Sequence, residues 1–146
     1  LRTNCMRYLP NFFSKGQIEM IFIAFPDPHF KVKNHRRRIV SDVLLSEYAF
    51  FLQPNGRLYM ITDVEELHHW HVEKSDAHPC FERITDEELK YDPRVPAMHD
   101  DTEESKKVAR MNGIPTPASS AVKRYAVYRR LPDIQVQHAA IQSLLS

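Results

Sequence analysis

At 146 residues and 42% hydrophobic content, the chain has the length and the apolar material of one ordinary domain with a real core. A formal charge of only +1 excludes a globally basic nucleic-acid binder, so any such function must rest on local clusters. Cys5 and Cys80 match no CxxC or zinc spacing and no apolar run nears the roughly 20 residues of a membrane span, so neither a disulfide framework, a structural metal nor a membrane anchor is expected, and a soluble protein of a reducing compartment is.

The segment up to Lys15 reads as a loop or short helical turn with apolar anchors, and Gly16-Gln17 as a turn. Ile18 to Phe25 has too many apolar and β-branched residues for clean alternation, the pattern of a strand buried on both faces in a parallel sheet. Ser41 reads as an N-cap. Leu44, Leu45, Tyr48, Phe51 and Leu52 then recur at helical spacing, which predicts a helix to about Gln53, stopped by Pro54-Asn55-Gly56. Leu58 to Val64 reads as a second buried strand. Strand, crossover helix and strand in that order give parallel strands and an α/β layer fold.

Further along, Glu65 to roughly Asp76 is predicted helical, Phe81 to Ile84 a short strand, and Thr85 with Glu88 a capping box that opens a short helix. Asp92 to Asp100, with Pro93 and Pro96, reads as a loop. Thr102 to Met111 is expected to form a surface helix capped by Gly113, Pro115 to Ser120 an irregular stretch, and Tyr125 to Leu131 a final strand. The tail from Pro132 to Ser146 reads as a weak amphipathic helix or a mobile end.

In open α/β sheets, ligands bind beyond the carboxyl ends of parallel strands. Asp27, held between Pro26 and Pro28, follows the first strand, and Asp63 ends the second, so both are expected to face one crevice. Plain structural roles compete with this: a turn initiated by Asp27 and a helix cap at Asp63. Directly behind Asp27, Lys31, Lys33, His35, Arg36, Arg37 and Arg38 fall within eight residues, nearly all of one sign. Charge runs are usually solvated faces, but this one lies on the same edge as Asp27, and such cations position a polyanion through its phosphates.

His68, His69 and His71 invite a metal reading. His68 and His71 share a helical face, yet no third ligand and no HExxH accompanies them, so a surface or partner-facing cluster is expected, with Trp70 as an apolar anchor. The chain has no GxSxG, no Walker loop and no GxGxxG.

The stretches NCMRYLPNFFSKGQ, IFIAFPDPHFKVKNHRRRIV, LLSEYAFFLQPNGRLYMITDVEELHHW, HPCFERI and DTEESKKVARMNG resemble the tRNA (guanine-N7)-methyltransferases, in particular their eukaryotic catalytic subunit, from Asn4 to Arg130. The resemblance implies the C-terminal half of a Rossmann-like class I S-adenosylmethionine-dependent sheet, mostly parallel with an antiparallel final strand. On that basis, 1–131 is a partial methyltransferase domain, the substrate half without the glycine-rich cofactor loop, and 132–146 a C-terminal tail. Only three glycines agree with that. Asp27 matches the motif aspartate associated with activity and Asp63 one associated with the substrate guanine. Lys31, His35 and Arg38 fall where the family meets tRNA. Asn4 with Cys5 stands where the family places an Asn-Ala pair near adenine, Ala24 replaces a larger residue lining that pocket, and Thr102 with Glu104 match a late element at the cofactor. The resemblance further implies S-adenosyl-L-methionine as cofactor, a WD-repeat partner subunit, and a nuclear location with the cytoplasm as a second place.

Two other readings stay open: a non-catalytic RNA-binding or scaffold fragment that cannot hold the cofactor, and a metal-dependent nuclease using Asp27, Asp63 and the histidines. The start at Leu1 suggests part of a longer protein. The first strand, central in the family sheet, is then expected to be an exposed apolar edge covered by a dimer, a domain swap or preceding residues.

Overall fold

The computed structural model describes residues 8–100 and 122–146, the side chains at 99 and 100 excepted. Its centre is a four-stranded mixed sheet. Strands β1 (Ile18–Ala24), β2 (Leu52–Thr62), β3 (Phe81–Arg83) and β4 (Arg124–Arg130) lie in the order β1-β2-β4-β3. β1 and β2 are parallel, while β4 runs antiparallel to both β2 and β3. A mixed α/β fold is the outcome, with the final strand antiparallel; the sheet is not mostly parallel as expected, since among the described residues only β1 and β2 pair in parallel.

The apolar run of β2 follows from burial on both faces. Leu58 and Met60 point into one core with Leu44, Leu45, Tyr48 and Phe51, whereas Tyr59 and Ile61 point into another with Leu89, Val95 and Met98. Helix α1 (Asp42–Phe51) begins where Ser41 Oγ accepts the Leu44 N–H at 3.2 Å, as its N-cap pattern predicts. Helix α2 (Glu65–Ala77) buries Leu67, His71 and Ser75, one side chain per turn. Helix α3 (Asp86–Leu89) starts at Thr85, whose hydroxyl accepts from the Glu88 N–H.

Four expectations need correction. β1 is not buried on both faces: among its residues Ile23 is buried, whereas Phe22 is 48% exposed and Ala24 is exposed. β2 begins at Leu52, directly after α1, because Leu52 is fully buried and pairs with Ile18; Pro54-Asn55-Gly56 becomes an irregularity inside the strand rather than a turn before it. Asn55 takes up the bend with φ 65, and a Cβ on Gly56 would meet Glu19 O at 2.9 Å, so β1 closes on β2 only over a glycine there. The strand also ends at Thr62, not Val64. Finally, the presumed loop after Asp92 holds helix α4 (Arg94–Asp100): Pro96 falls in its first turn, where proline is tolerated, and Asp92 Oδ1 accepts the Arg94 N–H at 3.0 Å.

Helix α5 (Asp133–Leu145) carries no buried residue and is tied at its start by Arg130 Nη2 to Asp133 Oδ1 at 2.7 Å. Among the described residues β1 pairs only with β2, and no strand lies on its other side. No helix among the described residues is long and apolar enough to cross a membrane. The expected helix at Thr102 to Met111, its cap Gly113 and the stretch from Pro115 to Ser120 lie outside the described residues.

Candidate active site and nucleic-acid face

Parallel pairing sets the geometry. Ala24 stands opposite Ile61, and the Phe25 N–H donates to Ile61 O at 2.9 Å, so β1 and β2 finish level with each other. Asp27 and Asp63 therefore leave the sheet at the same carboxyl edge, and both are exposed.

The loop carrying Asp27 is strained. Phe25 (φ 49) and His29 (φ 45) take left-handed backbone conformations, which for bulky residues cost on the order of 1–3 kcal/mol each and persist only when the surroundings fix them. Asp27 does serve its own turn: Oδ1 accepts the His29 N–H at 2.9 Å. Asp63 does not cap α2. The cap position is Val64, whose N–H is taken by Thr62 Oγ1 at 3.1 Å, leaving the Asp63 carboxylate outside the helix-start bonding.

The basic segment folds as a 3-10 helix, Val32–Arg37, and divides into two sides. Lys31, Lys33, Arg36 and Arg37 are exposed, and no ion pair ties them to any acid among the described residues. Arg38 departs from its expected place on the surface. It is 1% exposed, its Nε donates to Pro28 O at 2.8 Å and its Nη2 to Glu66 Oε1 at 2.7 Å, and its guanidinium lies 4.7 Å from the Trp70 ring centre. Two donor contacts and one stacking contact draw it inside, as suits a planar guanidinium. His35 is half-buried on the same side, 3.3 Å from Phe30 O and 3.8 Å from Glu66 Oε1. Phe30, by contrast, projects its ring outward at 61% exposure, immediately before Lys31. An exposed ring beside unpaired cations is the composition that stacks on unpaired bases while gripping phosphates.

On the β1 side of this edge, Leu9, Ile21, Ile23, Ala24, Pro26 and Tyr48 help line an apolar cleft of about 270 Å³. Ala24, expected at the cofactor, is part of it. The polar ends of a nucleoside-bearing cofactor would need donors that these side chains do not supply. Asn4, Cys5, Thr102 and Glu104, the other residues expected there, lie outside the described residues.

The histidines separate. His71 is buried on the sheet-facing side of α2, and burial, with smaller contributions from His68 and Arg38, pushes its imidazole down to about 4. His68 is also lowered, by partial burial and then by nearby Arg83 and His69. Among the described residues no group of three or more His, Cys, Asp or Glu side chains is placed to hold a metal ion. Trp70 is more than an apolar anchor: its Nε1–H donates to Val40 O at 2.8 Å, and its ring takes Arg38 on one contact and Lys74 on another.

Residues 1–116 match a protein-family model described as "Putative methyltransferase". The chain belongs to this methyltransferase family. Curated relatives carry the name tRNA (guanine-N(7)-)-methyltransferase: one from Neurospora crassa is 53% identical over 135 residues, 92% of this chain and 43% of the relative. Relatives of the same name from Schizosaccharomyces pombe and Caenorhabditis elegans are 51% and 49% identical, over 91% of this chain and 46% and 49% of their own lengths. The chain thus spans less than half the length of the relatives it matches. For this methyltransferase chain, the side chains that the sequence alone does not single out are Glu66 and Phe30. Glu66 looks like one more acid at a helix start, and only the burial of Arg38 against it gives it meaning; Phe30 sits in PDPHFK, yet nothing in the sequence says that its ring points outward.

Proposed function

We propose that this chain is the substrate-binding half of a class I methyltransferase domain that transfers a methyl group from S-adenosyl-L-methionine to N7 of guanine in the variable loop of tRNA. The observation that carries the reading is the level finish of β1 and β2, which puts Asp27 and Asp63 on one edge beside an unpaired cationic face. The names of the relatives support tRNA as the substrate and guanine N7 as the atom methylated.

The chemistry fits carboxylates that position rather than abstract. Guanine N7 already presents a lone pair, so the transfer needs in-line alignment more than a general base. When bound, the cofactor supplies the electrophilic methyl as a sulfonium. Asp27 and Asp63 accept hydrogen bonds from the guanine N–H groups, which adenine cannot offer in the same pattern, and their charge offsets the positive charge that the purine acquires. Lys31, Lys33, Arg36 and Arg37 hold phosphates, with His35 at their margin, and Arg38 holds the loop from within. Ala24, Asn4, Cys5, Thr102 and Glu104 are assigned to the cofactor, with Ala24 and the apolar cleft taking the adenine. A WD-repeat subunit sharing the tRNA, and cover for the open edge of β1 by further residues or a second copy, belong to the same proposal.

A labelled-methyl assay on the natural full-length protein together with its WD-repeat subunit and tRNA, followed by chemical cleavage at 7-methylguanine, tests it. Label at guanine N7 supports the reading; tRNA left unlabelled, or labelled at another atom, overturns it. A second reading, RNA binding without catalysis, is favoured by one observation: Lys31, Lys33, Arg36 and Arg37 are exposed together, while the cleft is lined mostly by apolar side chains. Calorimetric binding of S-adenosylmethionine to the 146-residue chain would remove that reading.

A further inference from the structure

We infer that Glu66 and Trp70 are positioning residues that act through Arg38 on the loop from Pro26 to Phe30, and thereby on Asp27; the inference rests on the methyl-transfer reading above. One guanidinium joins the loop to α2, since Arg38 Nε donates to Pro28 O at 2.8 Å while Nη2 donates to Glu66 Oε1 at 2.7 Å. The Trp70 ring, 4.7 Å from the guanidinium, fills the space beneath it, and the bond from Trp70 Nε1 to Val40 O fixes that ring against the chain just after the arm. His35 adds a second tie to the loop at Phe30 O.

This inner layer explains how the loop keeps its left-handed residues. Phe25 and His29 hold unfavourable backbone angles, and the His29 N–H must stay on Asp27 Oδ1 for the carboxylate to keep its direction. Pro28 lies between Asp27 and His29, so a restraint on its carbonyl restrains both. Loss of the tie lets the carboxylate swing, and misalignment of this kind lowers turnover more than affinity.

Charge makes the idea separable from a bystander role. Glu66 is half-exposed and next to a cationic face, so if it did nothing but sit there, its removal would tighten RNA binding. A positioning role gives the opposite sign in turnover.

The test uses the natural full-length protein with Glu66→Gln, Trp70→Leu and the conservative Trp70→Phe. Steady-state methyl transfer to tRNA, tRNA affinity by anisotropy, and hydrogen exchange at the His29 amide are measured for each. Expected for Glu66→Gln and Trp70→Leu is a kcat lowered about tenfold or more with tRNA Kd changed less than roughly threefold, together with faster His29 exchange, and for Trp70→Phe recovery of most of the turnover. Unchanged kcat, or tighter tRNA binding with unchanged His29 exchange, overturns the inference. If Trp70→Leu fails to fold, Glu66→Gln, at a half-exposed side chain, carries the test alone. If the wild-type protein transfers no methyl to guanine N7, the functional proposal falls by itself. His29 exchange in Glu66→Gln then still reads the clamp: faster exchange sustains it and unchanged exchange sinks it.

Discussion

Ala24 and Ile61 face each other across the parallel seam between β1 and β2, and the two strands finish within one residue of each other. From this one register follows the shared edge of Asp27 and Asp63. A slip of one residue would turn one carboxylate's strand over and send its apolar side chains to the wrong core.

Asp27→Asn is a clean probe of charge, because an asparagine Oδ1 still accepts the His29 N–H and keeps the turn. Its methyl transfer is expected to fall by roughly tenfold to a hundredfold, the scale for losing one preorganised electrostatic partner, with the fold unchanged. Asp63→Asn, free of any capping duty, is expected to act mainly on guanine binding and so to raise KM. Steady-state kinetics with tRNA distinguish the two; near-normal turnover in Asp27→Asn would remove that residue from the chemistry.

The cationic segment is expected to split by side. Replacing Lys31, Lys33, Arg36 or Arg37 singly by glutamine should weaken tRNA binding and lower the slope of log K against log salt by about one each. Arg38→Ala should leave that slope alone and instead destabilise the protein by about 2 kcal/mol, through loss of buried charge-assisted hydrogen bonds. Filter binding across a salt series and urea unfolding give both numbers.

His71 makes stability pH-dependent with a definite sign. Its imidazole is pushed down from 6.5 to about 4 in the fold, so between those values the unfolded chain binds the proton and the native one does not. Stability is therefore full above pH 6.5 and declines as pH falls toward 4, by up to about 3 kcal/mol from this group. His71→Leu should remove that part of the slope in urea titrations at several pH values; an unaltered slope would show that His71 is not the group responsible.

Asp92 ties the second core together. It is buried, yet its carboxyl is held below the usual range: burial works to raise it, but the Tyr59 O–H, the Arg94 N–H and Arg57 outweigh that. Asp92→Ala leaves the Tyr59 hydroxyl and Arg57 short of their acceptor and frees the start of α4. A loss of roughly 3 kcal/mol in chemical unfolding is expected. Tyr59→Phe, which removes one donor only, should cost about 1 kcal/mol.

Much of the fold was legible because its signals are local. The helical spacing of Leu44, Leu45, Tyr48 and Phe51 and the caps at Ser41 and Thr85 all act within a turn or two of chain, and each appears in the structure, although the Glu88 carboxylate turns to Arg57 and Arg129 and leaves the capping box half made. Where a distant partner overrode the local signal, reading failed. Pro54-Asn55-Gly56 looks like a turn, but Leu52 gains more by pairing with Ile18 in the core than the chain loses by bulging. Asp92 with two nearby prolines looks like a loop, but its carboxylate belongs to Tyr59 and Arg57 and caps a helix.

The sequence by itself determined the order of the four strands and of the helices between the first three, the two aspartates that follow parallel strands, and the run of cations behind the first, since periodicity and charge are written in the chain. Only the tertiary structure decided which of those cations face water. Lys31 and Arg38 look alike on paper, but Glu66 and Trp70, contributed by a helix nearly thirty residues away, draw one guanidinium inside and leave the others exposed. Charge is a property of a residue, whereas exposure depends on what the rest of the chain brings beside it.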